Sequence, residues 1–170
     1  PGDIWEKDDR MSLILYRELA EIEYLNGNIE QSQFLIEIAL QRSRSAIDRA
    51  DFYYLQIVQH TLLGKVSEAI DTGRTALKTL GIDLPTDNLE AAFEAELAEY
   101  RDNLGEQEIS SLSDYPEMTI LEKKAALKIL VRIWAPAWIF QPVLMYIIGT
   151  KMVNLNLKCG HMEKSPLGYV

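Results

Sequence analysis

Cysteine is almost missing from this chain: Cys159 is the one thiol in 170 residues. An internal disulfide is therefore excluded. The fold must be held by packing, and a single thiol fits a reducing cytoplasm, where we expect the protein to sit. Proline is scarce as well, with six residues that fall where helices are expected to begin or end. Basic residues nearly vanish from positions 87–122, which hold eleven acids and Arg101. With a net charge of −9, the chain lacks the Lys/Arg surplus that phosphate contacts require, so no nucleic-acid partner is expected. Residues 123–170 reverse the balance, with seven bases against Glu163. The acidic and basic segments are expected to pack near each other. No basic segment followed by an apolar run opens the chain, so no signal peptide is read. The most membrane-like stretch, residues 133–149, is uncharged but contains Pro136 and Pro142. Two prolines six residues apart suit a helix–loop–helix better than a bilayer span, so no membrane partner is expected.

Catalytic patterns are missing too. Gly64-Lys65 has no glycine five residues before it and runs into Val66, so it is no phosphate-binding loop. Neither His-Arg-Asp nor Asp-Phe-Gly occurs. We expect no catalytic residue and no cofactor. His60, between Gln59 and Thr61, is expected to be a packed or half-exposed helix histidine. Cys159 and His161 supply two metal-type ligands, which do not close a tetrahedral site, so no metal is expected. Glu94, Glu96, Glu99 and Asp102 are expected to form a solvated acidic face. Trp134, Trp138 and Phe140 are expected to fill a corner between two helices rather than to stand exposed.

What the chain has in quantity is helical periodicity, and the periodicity repeats. Asn26-Gly27-Asn28-Ile29-Glu30-Gln31-Ser32 recurs 37 residues later as Leu63-Gly64-Lys65-Val66-Ser67-Glu68-Ala69. Gly27 maps onto Gly64, Ile29 onto Val66, Ser32 onto Ala69, Ala39 onto Ala76 and Leu40 onto Leu77. A glycine turn between amphipathic helices at a fixed period is the mark of a helical solenoid. The first helix is expected over 5–25, ended by Gly27, and the second after an Asn28 cap. The third is expected from Ser45 to Leu63, apolar on more than one face as an inner helix would be. The fourth is expected from Ser67 to Leu80, stopped by Gly81 and Pro85. A fifth is expected over 88–104. A short turn with Ile109 and Leu112 follows. Thr119 and Glu122 read as a capping box for a helix from Ile120 to Ala135. Trp134 to Pro142 reads as an aromatic turn, and Pro142 opens a last helix that ends near Cys159.

Two glycine-turn hairpins with small residues at Ser32/Ala39 and Ala69/Ala76 resemble the tetratricopeptide repeat over residues 13–81. Ala20 fits that pattern and Ile57 departs from it. Arg44 and Gly81 stand where the family has proline, and the period is 37 residues rather than about 34. A second resemblance rests on Leu80-Gly81-Ile82-Asp83-Leu84-Pro85, Tyr115-Pro116-Glu117-Met118-Thr119, Lys151-Met152-Val153-Asn154-Leu155, Cys159-Gly160-His161 and Ser165-Pro166-Leu167. These look like the helical region of large bacterial, cyanobacterial-type signal-transduction proteins. Those combine a serine/threonine-kinase-like domain, an AAA/STAND-type ATPase module and a sensor histidine kinase. The resemblance implies a piece of a larger polypeptide lying between the nucleotide module and the sensor–kinase end. It carries no catalytic residue onto this chain.

The expected fold is all-α: an α-α superhelix of seven or eight helices forming one domain over 1–170. It has two tetratricopeptide-like hairpins over 13–81, with the helices of 87–170 following. The fifth helix is expected to extend the stack and a final hairpin to pack against it. The expected function is a non-catalytic scaffold that binds protein, either flanking domains of the same polypeptide or a regulator. Arg17, Glu18, Glu21, Tyr24, Tyr54, Val58 and Thr61 would line its groove. Two repeats alone offer little groove, so the Gly27 unit is first a packing device. The alternative is a small-molecule sensor with a pocket near Trp134, Trp138 and Tyr146. The sequence sets no oligomeric state.

Overall fold

The computed structural model describes residues 9–105 and 116–162. Among them are seven helices: α1 (Asp9–Leu25), α2 (Ile29–Arg42), α3 (Ala46–Leu62), α4 (Val66–Thr79), α5 (Leu89–Leu104), α6 (Leu121–Phe140) and α7 (Pro142–Cys159). No described residue belongs to a strand beyond one bridge between Glu117 and His161. The expected all-α superhelix is what forms. The expected start of the first helix at residue 5, the turn with Ile109 and Leu112, and the Ser165-Pro166-Leu167 segment lie outside the described residues.

The first four helices are two copies of one unit. Adding 37 to each boundary of α1 and α2 gives the boundaries of α3 and α4. The turns match at atomic detail. Gly27 and Gly64 take φ of +82° and +71°. The Asn28 amide donates to the Glu23 carbonyl at 2.9 Å, and the Lys65 amide to the His60 carbonyl at 2.8 Å. The glycine amides donate to Tyr24 and Thr61 at 3.0 and 3.1 Å. These paired bonds close the last carbonyls of each helix, and the left-handed residue between them favours glycine. Gly81 repeats the closure a third time, with the Ile82 amide donating to Leu77 at 2.9 Å.

Helix starts are less regular than the sequence suggests. Ser45 caps α3, its hydroxyl accepting from the Ile47 amide at 3.1 Å. Asn28 occupies the cap position of α2 but makes no side-chain cap. Its amide donates instead to the Glu23 carboxylate at 2.7 Å. Ile120, not Thr119, is the cap residue of α6, and it makes no side-chain cap bond, so the capping box does not form.

The stack has a third member, but α5 is not it. α3 packs on the α1–α2 hairpin, and α6 in turn packs against both α3 and α4. α7 runs back along α6, joined to it through Gln141 alone. α5 lies against α7. The expectation that the fifth helix extends the stack is thus corrected: α5 covers the far side of the third hairpin. The reason lies in composition. α5 buries none of its residues completely and is rich in glutamate, as suits an outer cover rather than an inner layer.

α6 also overruns its expected end. It continues through Pro136 to Phe140, so residues 134–140 are helical and not a turn. Pro136 lacks the amide that would bond to the Arg132 carbonyl, a real loss. Ile133, Pro136 and Ala137 are all buried on one stripe, and that burial keeps the helix continuous. Pro142 then stands in the first turn of α7, as expected.

Three features fix the third hairpin in place. Gly73, midway along α4, stands where the first repeat has Ile36. A Cβ built on Gly73 would come within 2.6 Å of Ile133 Cγ2 on α6, so the missing side chain admits α6. Beside it, Arg74 donates to the Pro85 carbonyl at 3.0 Å and to Gln141 Oε1 at 3.4 Å, tying α4 to the α6–α7 joint. At the other end, the Met118 amide donates to the His161 carbonyl at 2.7 Å and the His161 amide to the Pro116 carbonyl at 2.9 Å. Apolar burial follows this plan. One cluster joins α3, α4, α6 and α7 around Ile57, Ile70, Leu77, Ile133 and Ile147. A smaller one joins α1, α2 and α3 around Ala20, Ile36, Ala39 and Phe52.

Candidate functional site

The residues expected to line a groove sit on α1 and α3. With the 37-residue shift, Arg17 aligns with Tyr54, Glu21 with Val58 and Tyr24 with Thr61. All six are half-buried. The structure adds a third helix to this face. Arg132 on α6 holds its guanidinium carbon 5.9 Å from the centre of the Tyr54 ring, a cation–π contact. Sequence reading missed Arg132, because α6 lies out of register with the 37-residue period. Glu18 aligns with Leu55, which is buried toward α1–α2, so it points toward the open end of the stack. It pairs with Arg17 at 3.0 Å in an exposed contact. Thr61 bonds its own helix, donating to the Ile57 carbonyl at 2.8 Å.

A buried polar relay sets the spacing of these helices. Ser32 Oγ donates to the Ala20 carbonyl at 2.6 Å, and Gln59 Nε2 donates to Ser32 Oγ at 2.8 Å. All three residues are fully buried, so α1, α2 and α3 are joined by bonds that water does not contest. The face thus sets the charges of Arg17, Glu21 and Arg132 beside the rings of Tyr24 and Tyr54. Among the described residues, no group of three or more His, Cys, Asp or Glu side chains could hold a metal ion.

The other candidates are placed as follows. Trp138, Ile139 and Phe140 are exposed at the end of α6, contrary to the expected core corner. They project there because the helix continues past Pro136 and carries them beyond the covered part of α6. Trp134 is half-buried and meets Trp138 edge to face at 6.4 Å. Tyr146 is exposed and meets Phe93 of α5 at 5.9 Å. Trp134 also lies beside Gly149 on α7, one helical turn from Tyr146. His60 is half-buried, with Nδ1 3.3 Å from Thr72 Oγ1.

The acidic helix is only partly a solvated face. Glu96 pairs with Lys151 and Glu99 with Lys158, the latter at 2.6 Å, while Glu94 and Asp102 remain exposed. Asn154 donates to the Glu96 backbone at 3.1 Å and accepts from Asn103 at 3.1 Å. Acidic α5 and basic α7 thus do pack together, as the uneven charge suggested. No described helix is long and apolar enough to cross a membrane.

No protein-family profile matches the chain, and no solved structure matches it. Among curated proteins, 109 residues, 64% of the chain, are 25% identical to a stretch of hybrid signal transduction histidine kinase G from Dictyostelium discoideum. The chain spans about 3% of that protein's length. This all-helical stack is similar to one small region of a signal-transduction kinase.

Proposed function

We propose that the chain is a non-catalytic, tetratricopeptide-like scaffold region of a larger signalling polypeptide. Its face on α1, α3 and α6 binds flanking domains or a regulator. The observation that carries the reading is the alignment of Arg17, Glu21 and Tyr24 with Tyr54, Val58 and Thr61, extended by Arg132 onto a third helix. Three helices give more recognition surface than the two repeats legible in sequence. Similarity to a small part of a much longer signal-transduction kinase supports the same reading. The means of relay would be differential contacts made by rigid helical layers in two arrangements of their neighbours. By this reading the region works in the cytoplasm, between an ATP-binding module and downstream sensor and kinase domains. Its partner is protein, and it uses neither metal nor cofactor.

The test is retention of the separately produced flanking regions by the tagged chain. Arg17→Glu with Glu21→Lys should lower retention at least tenfold while leaving helicity and melting temperature unchanged. Undiminished retention by the double variant would refute the assigned face. No retention of either flank by the unaltered chain would refute the scaffold.

A further inference from the structure

Among the described residues, the stack is closed at one end and open at the other. At the closed end, α5 covers α7 and turns a polar, acidic surface outward. At the open end, α1 exposes an apolar stripe: Leu15 is 51%, Leu19 45% and Ile22 52% exposed. These positions lie on one side of the helix, four, three and seven residues apart. The repeat shows what such a side does one unit later. Shifting Leu15, Glu18 and Ile22 by 37 gives Phe52, Leu55 and Gln59, which are 2%, 7% and 0% exposed. Phe52 and Leu55 pack with Leu35, Ile36 and Ala39 of the preceding hairpin, and Gln59 bonds Ser32 there. The side of α3 that receives a preceding hairpin is therefore the side that α1 leaves uncovered.

We infer that α1 is a docking face for a further helical hairpin, contributed by the same polypeptide upstream of residue 1. It would stack on α1 as α1–α2 stacks on α3. The repeat geometry supports this, and it rests on the proposed reading only in taking the chain as part of a longer polypeptide. It also specifies the occupant. Its second helix lies across Leu15, Leu19 and Ile22 and presents small and branched apolar residues in the places of Leu35, Ile36 and Ala39. Ile22 replaces Gln59, so the residue in the place of Ser32 has no amide to bond. Alanine suits it there, as at Ala69 in the second repeat. Glu18 takes the buried place of Leu55, so the occupant offers it a basic group there, as Arg17 does now, while Leu19 takes the place of half-buried Gln56. An upstream hairpin also supplies what a stack needs at an apolar end, since an uncovered face of this kind favours association.

The test compares the chain alone with the chain carrying its natural upstream segment of about one to two periods. Both carry Leu19→Cys in a Cys159→Ser background, and maleimide labelling of Cys at 19 is timed. The extended protein should label at least tenfold more slowly than the chain alone. Leu15→Glu should lower the melting temperature of the extended protein while leaving that of the chain alone unchanged. Equal labelling rates would overturn the proposal. So would a natural polypeptide with fewer than about 30 residues before this chain, too few for such a hairpin at this repeat length. A concentration-dependent dimer of the chain alone that shields position 19 would overturn it in favour of a second copy. An Ile57→Ala variant, buried on the other side of the repeat, should leave the labelling ratio between the two proteins intact.

Discussion

Replacing Gly160 by alanine should damage this protein more than replacing any of its turn glycines. Gly160 follows α7 with φ of +91° and ψ of 175°. That region is essentially closed to residues with a Cβ, and holding alanine there costs about 1–3 kcal/mol. Space is missing as well. A Cβ on Gly160 would fall on the Pro116 carbonyl oxygen and within 3.1 Å of the Met118 amide. These are backbone atoms, so no side-chain rotation relieves the overlap. The neighbouring strand-like segment must retreat, and it is held by the Met118–His161 and His161–Pro116 bonds. Losing both adds roughly 1 kcal/mol each. The sum is about 3–5 kcal/mol, which for a domain of this size lowers the melting temperature by about 10 °C. Gly27→Ala is the control. Gly27 also has positive φ, but nothing lies within 4 Å of its added Cβ. It should lose only the left-handed strain, about 1–2 kcal/mol. The assay is thermal unfolding by circular dichroism at matched concentration. If Gly160→Ala melts no lower than Gly27→Ala, the pairing of residues 116–118 with His161 does not hold α6 to α7 as described.

Further outcomes follow from the buried bonds. Ser32→Ala leaves the Gln59 amide unpaired in a dry site and removes the second bond to the Ala20 carbonyl, which keeps its helical partner, and should cost about 1–3 kcal/mol by denaturant unfolding. Adding Gln59→Leu should recover at least about 1 kcal/mol, since it removes one orphaned polar group. Lys151→Met leaves the Glu96 carboxylate without a countercharge, held only by Asn154 at 3.2 Å, and should destabilise by about 1–3 kcal/mol, whereas the exposed Lys158→Met should change stability by less than about 1 kcal/mol. Trp138→Ala with Ile139→Ser, both at exposed positions, should leave the melting temperature within a few degrees and reduce binding of a hydrophobic dye.

The repeat was legible because glycine at a left-handed turn is a local requirement. Gly27 and Gly64 announce two hairpins whose boundaries differ by one constant shift. The third hairpin was not legible, and the reason is spatial. α5 interrupts the period in sequence but leaves the stack in space, so no third glycine falls 37 residues on. Proline rules ended α6 at Ala135, while burial of Ile133, Pro136 and Ala137 carried it to Phe140 and put Trp138 at the surface. Thr119 and Glu122 had capping-box spacing, but spacing does not fix where the first helical turn begins. Of the candidate face, the α1 and α3 residues were readable from their shift, and Arg132 was not. A glycine inside a helical pattern, Gly73, costs about 1 kcal/mol relative to alanine and wants a packing reason. The reason is α6.

That contact offers the most direct test of the three-hairpin stack. Gly73→Ala on an isolated helix should stabilise by about 1 kcal/mol. In this protein the added methyl meets Ile133 at 2.6 Å, so the substitution should instead destabilise by about 1–3 kcal/mol. Ile133→Ala alone should also destabilise, by opening a cavity of its own. A double-mutant cycle measures whether the two sites touch. If α6 packs on α4, the double variant should be more stable than the sum of the singles allows, by at least about 1 kcal/mol. Additive effects within about 0.5 kcal/mol would contradict the placement of α6, and with it the three-helix face.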